Sequence, residues 1–241
     1  MRERDIKPEK NRLSRLGGSL GPPICRSIVS LAIAGLAVLS AGGQTVAPPR
    51  ADNQVWTETQ LAILVNAHAD FVLIGVLRFG RNASRPVNER IGAGVSFKIG
   101  KYLTVFPFYL HVASQPTSTG HSTEERITLE ATAKLPWRGF TVSDRNRVEF
   151  HFHSPPPNFT QYRNRIQIEH PLKFGGLHVF LADEFFYDSV ASAWIRNRIY
   201  AGVSKKVNKH FSFDIYYVRQ NDSHSRPGDL NAAGTSLKFR L

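Results

Sequence analysis

The sequence predicts an all-β protein: a transmembrane antiparallel β-barrel of about 10–12 strands around a polar lumen rich in Arg and Glu. Three observations carry that expectation. The chain opens with the pattern of an export signal; apolar and polar residues alternate with a period of two and no helical period persists; and short turns exchange regularly with longer polar loops. Composition bounds the rest. At 241 residues with 41% hydrophobic and 21% charged, the chain is neither disordered nor an acidic solvating protein. Its one Cys excludes an internal disulfide, a zinc finger and an iron–sulfur site.

Residues 1–43 read as a signal peptide. Arg2, Arg4, Lys7, Lys10, Arg12, Arg15 and Arg26 precede an apolar run, Ile28 to Leu39, and the small residues Ser40-Ala41-Gly42-Gly43 follow it. The run is shorter than the roughly 20 residues of a spanning helix. Cys25 precedes the run, where a lipidated cysteine would follow it. The segment carries seven basic and three acidic residues, so its removal lowers the formal charge from +12 to about +8. Export also removes nucleic acid from the expected partners, leaving outer-membrane lipid and the barrel-insertion machinery. Residues 44–53, small and Pro-containing, read as a linker.

From 54 to 241 the pattern is a barrel's. Ile91, Ala93, Val95, Phe97 and Ile99 alternate with Gly92, Gly94, Ser96 and Lys98; Ile127, Leu129, Ala131, Ala133 and Leu135 alternate with Arg126, Thr128, Glu130, Thr132 and Lys134. Strands are expected near 54–63, 70–79, 90–99, 102–111, 125–135, 144–153, 161–170, 177–187, 195–204, 210–219 and 233–241, each close to the 9–11 residues of a tilted membrane strand. Alternation alone does not separate a soluble sandwich, apolar face inward, from a membrane barrel, apolar face outward. The alternation of loop lengths favours the barrel. Eleven segments conflict with the even number usual in bacterial barrels. Either one segment is missed, or 54–63 is not a wall strand, which would leave ten strands with both termini on the short-turn side. Asn66, His68 and Asp70 interrupt the apolar residues of 62–79 and favour a hairpin over a buried helix.

A triplet recurs three times: Arg145-Asn146-Arg147, Arg163-Asn164-Arg165 and Arg196-Asn197-Arg198. Both arginines of a triplet point to one face of a strand. Pairing Glu149 with Arg165 and Arg145 with Glu169 would build a ladder of opposite charges, with Glu130 and Glu184 as further members. Three uses follow: structural filling of the lumen, a narrow anion-preferring passage, or a site for an acidic ligand.

Asp52-Asn53-Gln54-Val55-Trp56, Asp144-Arg145-Asn146-Arg147, Tyr162-Arg163-Asn164-Arg165, Asp183-Glu184-Phe185-Phe186-Tyr187, Arg196-Asn197-Arg198, Tyr216-Tyr217 and Arg226-Pro227-Gly228-Asp229-Leu230-Asn231 occur in order. Together they resemble a bacterial family known only as domain of unknown function 2490, over about residues 52–241. The resemblance implies an outer-membrane barrel and brings no catalytic residue or substrate. Many outer-membrane proteins end in Phe; this chain ends Phe239-Arg240-Leu241 and keeps the alternation.

Other chemistry is sparse. His151 and His153 share a face, but no third metal ligand is identifiable, so neither metal nor cofactor is expected. His121-Ser122 and Ser223-His224 lack a third member, so no enzyme is expected. Asn221, Asp222, Asp229 and Asn231 match no calcium-loop template and read as turn residues. Trp137, Tyr162 and Trp194 lie near strand ends, as interfacial aromatics do. The expected role is structural, or a narrow passage for small polar or anionic solutes. A periplasmic β-barrel or sandwich that binds a ligand is the alternative, and an outer-membrane lipid hydrolase the third.

Overall fold

A computed structural model describes residues 51–115, 120–154, 157–225 and 227–241. The expected signal peptide and all of the linker but its last three residues lie outside the described residues. Among the described residues eleven strands follow one another: β1 (Ala51–Asn66), β2 (Ala69–Gly80), β3 (Arg85–Ile99), β4 (Leu103–Ser114), β5 (Ser122–Trp137), β6 (Phe140–Ser154), β7 (Phe159–Pro171), β8 (Leu177–Asp188), β9 (Ala193–Lys206), β10 (Phe211–Asp222) and β11 (Asp229–Arg240). Each pairs with its neighbours in sequence, and β1 pairs with β11 to close the barrel.

Residues 54–63 are therefore wall, and the barrel is odd. In a meander with an odd number of strands the first and last run in the same direction, so closure must be parallel. It is, from Ala51 opposite Asp229 to Ala62 opposite Arg240. This corrects two expectations: the sheet is not wholly antiparallel, and β1 begins at the long-loop end while β11 finishes at the short-turn end.

Local chemistry explains the turns. Arg138 and Gly139 both take positive φ, 48° and 85°, and join β5 to β6 as a two-residue hairpin whose twist suits the flanking strands. Between β2 and β3, Arg81, Asn82 and Ala83 are all left-handed. The Asp52 carboxylate holds them, accepting from the backbone N–H of Arg81 and of Asn82, each at 2.9 Å. Inside the wall, position 92 is glycine because a Cβ there would lie 1.9 Å from the Tyr109 carbonyl oxygen.

The two faces have opposite character. Ile91 and Leu129 are 68% and 51% exposed on the outside, joined there by Ile127, Leu181 and Ile215, while Glu184 and Glu149 are 0% and 1% exposed inside. A sandwich with an apolar core is thereby replaced by a barrel with apolar residues outward. A polar group interrupts the outer face at β6–β9, and its members bond one another: Asn164 Nδ2 donates to Asp144 Oδ1 (2.7 Å), the Tyr162 hydroxyl to Asn146 Oδ1 (2.5 Å), and Asn197 to Asp183. Two apolar clusters also line the lumen, Val72, Ile74, Phe106, Phe108, Leu110 and Val112 on β2 and β4, and a second around Trp56, Phe180, Tyr200 and Val218. The charged band lies between them. No helix among the described residues is long and apolar enough to cross a membrane.

Candidate functional site: a charged network across the lumen

The β6–β7 register differs from the expected one. Arg145 lies opposite Arg165, Arg147 opposite Arg163, and Glu149 opposite Gln161. Like charges face each other directly, and the carboxylates that compensate them lie diagonally on the paired strand or on the strands beyond it. An Arg side chain is long enough to reach the adjacent strand on either side, and it does so here.

Glu184 on β8 is one centre. Its Oε1 accepts from Arg163 Nε (3.1 Å) and Nη2 (2.7 Å) on β7 and from Arg145 Nη2 (2.6 Å) on β6, while Oε2 accepts from the Tyr200 hydroxyl (2.6 Å) on β9. Glu149 on β6 is the other. Its Oε1 accepts from Arg163 Nη1 (2.8 Å) and Arg147 Nη1 (3.3 Å), and its Oε2 from Arg126 Nη1 (3.4 Å) on β5. Glu130 takes Arg147 and stands 3.8 Å from Arg145 Nε. Each buried carboxylate thus meets several charged donors, which offsets the desolvation that isolated buried ions suffer.

The remaining residues of the expected ladder have other partners. Arg165 donates to Gln167 Oε1 (2.8 Å) and lies 4.2 Å over the Tyr200 ring. Arg196 pairs with Asp222, and Arg198 Nε donates to Gln220 Oε1 (2.7 Å) with its guanidinium over Trp56 and Phe186. Glu169 is outside the network, paired with His178 Nδ1 at 2.8 Å near the short-turn end, so its expected bond to Arg145 is absent. Arg126 and Tyr200 join the network from outside the repeated triplets. Arg126 shares the lumen face with Glu130, and its period-two spacing was the available signal.

Below the network, toward the short turns, a cavity of about 230 Å³ has an apolar wall of Val72, Ile74, Phe106 and Phe108 and a charged one that includes Glu58, Arg90, Glu130 and Arg147. At the long-loop end, β5–β6 pairing sets Glu124 opposite His153 and beside His151. Glu124 thus stands as a third potential ligand beside the two histidines. Ser223 Oγ lies 2.6 Å from His224 Nδ1, but the neighbouring Asp222 carboxylate is engaged by Arg196, by Ser225 and by the backbone N–H of His224 and Ser225. Asp222 is thus a turn residue.

The family described as "Protein of unknown function (DUF2490)" matches residues 53–231. No curated protein matches the chain.

Proposed function

The chain belongs to the DUF2490 family, and from that premise we propose that it is an outer-membrane β-barrel whose lumen is shut by its own side chains. Its role is structural: a stable, non-conducting barrel in contact with outer-membrane lipid, delivered by the barrel-insertion machinery. Glu184 carries this reading. It is wholly buried at mid-lumen and is held by side chains from β6, β7 and β9, where a continuous water path would expose it. The outward apolar face supports lipid contact, as do Trp137 and Trp194, exposed at opposite ends of the wall.

Two measurements test it. The mature protein, recovered from outer membranes, should migrate faster on a detergent gel before boiling than after. Recovery in the soluble periplasmic fraction with no mobility shift would overturn the membrane reading and favour a ligand-binding periplasmic barrel. In planar bilayers the folded protein should give no sustained conductance steps; regular steps would overturn closure.

The cavity on the short-turn side favours a second reading, a narrow anion-preferring passage, because Arg90, Arg145 and Arg147 outnumber Glu58 and Glu130 on its walls. Under that reading, any current should lose anion preference in R90Q/R145Q. An unchanged ion preference would remove it.

A further inference from the structure

Three buried imidazole nitrogens at the long-loop end of the lumen lack what the rest of the network has. Among the described residues, neither ring nitrogen of His151 nor Nε2 of His153 has a hydrogen-bond partner. His151 is 4% exposed. Carboxylate oxygens are near, Glu124 Oε1 at 2.9 Å from His151 Nδ1 and Glu149 Oε2 at 3.3 Å from Nε2, but out of hydrogen-bond line. A buried polar group left without a partner costs about 1–3 kcal/mol. Two of these atoms, His151 Nδ1 and His153 Nε2, meet at the Glu124 carboxylate, and the third, His151 Nε2, lies beside Glu149.

We infer that Glu124, His151 and His153 form a binding site for a first-row transition-metal dication of the Zn²⁺ class. One ligand atom from each lies within 4.8 Å of the others. The Glu124 carboxylate reaches both rings, Oε1 standing 2.9 Å from His151 Nδ1 and Oε2 3.5 Å from His153 Nε2, the second close to the donor spacing of a tetrahedral site. Ligands about 2.1 Å from a zinc ion stand about 3.4 Å apart. Two imidazoles and one carboxylate form a donor set that suits zinc and its neighbours rather than Mg²⁺ or Ca²⁺, and they leave a fourth position for water or an anion.

The surroundings assign the ligand atoms. His151 Nδ1 is nearest Glu124, and its Nε2 stands 3.3 Å from Glu149 Oε2, a carboxylate placed to back the imidazole once a metal turns the ring into line. Arg126 Nε donates to Glu124 Oε1 at 2.6 Å, which leaves Oε2 directed at His153. The guanidinium is a positive charge close to the site, so it moderates affinity while it orients the ligand. Phe159 stacks on His151, ring centroids 4.1 Å apart, and lies 5.3 Å from His153, holding both rings side by side. Both histidines must be neutral at the ligating nitrogen, so protons and metal compete for them.

The test uses the untagged mature protein, folded in detergent and stripped with chelator, and titrates it with Co²⁺ alone. One equivalent should bind with the strong visible absorption of a four- or five-coordinate ion, and Zn²⁺ should displace it. E124Q and H153Q should each abolish the bands while keeping the heat-dependent gel shift of a folded barrel. E149Q should keep the bands and weaken binding about 10–100-fold. H111Q alters the exposed His111–Glu125 pair on the outer wall and should change nothing. No bound equivalent in the folded wild-type protein would overturn the site, even if a variant fails to fold. So would bands that survive both E124Q and H153Q, or that vanish in H111Q.

Discussion

Arg163 donates through both Nε and Nη2 to one oxygen of Glu184, while its Nη1 reaches Glu149 on the opposite side. One guanidinium on β7 thus ties together carboxylates on β6 and β8, and the barrel is cross-linked through its lumen as well as through its wall.

Glu184→Gln should destabilise the folded barrel by about 3–5 kcal/mol, because it leaves Arg163 and Arg145 buried without the charge that compensates them. The check is the denaturant midpoint in detergent. In R163M/E184L the loss should be smaller than the sum of the two single losses, since the double variant leaves fewer buried charges unpaired. Additive losses would show that the two residues do not act as a unit.

Asp52→Ala should cost about 1–3 kcal/mol, for two backbone N–H groups of a left-handed turn lose their acceptor. Limited proteolysis should then cut between Gly80 and Arg85 first. A cleavage pattern identical to wild type would argue against this role.

Gly92→Ala should impair barrel formation, because the added methyl meets the Tyr109 carbonyl and the wall itself must move. Gly75→Ala is the control: a Cβ there has no heavy atom within 4 Å, so the gel shift should be retained. Equal behaviour of the two variants would contradict the close approach of β3 and β4.

Leu129→Arg tests what surrounds the outer wall. Leu129 is mid-strand and outward, and a charge facing hydrocarbon at that depth should cost about 2–4 kcal/mol in lipid. Folding into vesicles of defined composition measures it. A loss near zero would mean that this face is wet.

The strands were legible because period-two alternation is a local signal and each outward apolar set repeats it. What the charges pair with was not. Arg145 and Arg147 find Glu184, Glu130 and Glu149 through side chains that cross between strands, so choosing a register to place Glu opposite Arg on β6 and β7 led to the wrong one. Glu124 shows a different limit. A two-residue turn at Arg138-Gly139 sets Glu124 opposite His153, but the strand expected over 125–135 stops short of Glu124. The part played by 54–63 was obscured by a preference for even strand number, though parallel closure makes eleven admissible.

The parallel seam has a consequence for how the barrel comes to exist. Every other neighbouring pair in the wall is a hairpin that can zip from its own turn, whereas β1 and β11 join residues 178 positions apart, as Asn231 and Asn53 do. Loop-closure entropy grows with the separation of the joined ends, and non-local pairings slow folding. The meander can therefore assemble as an open ribbon, and the seam is the contact that waits for all the others. Substitutions along Ala51–Ala62 and Asp229–Arg240 would act on the rate of that final closure, while the hairpins from β3 to β9 form without the seam.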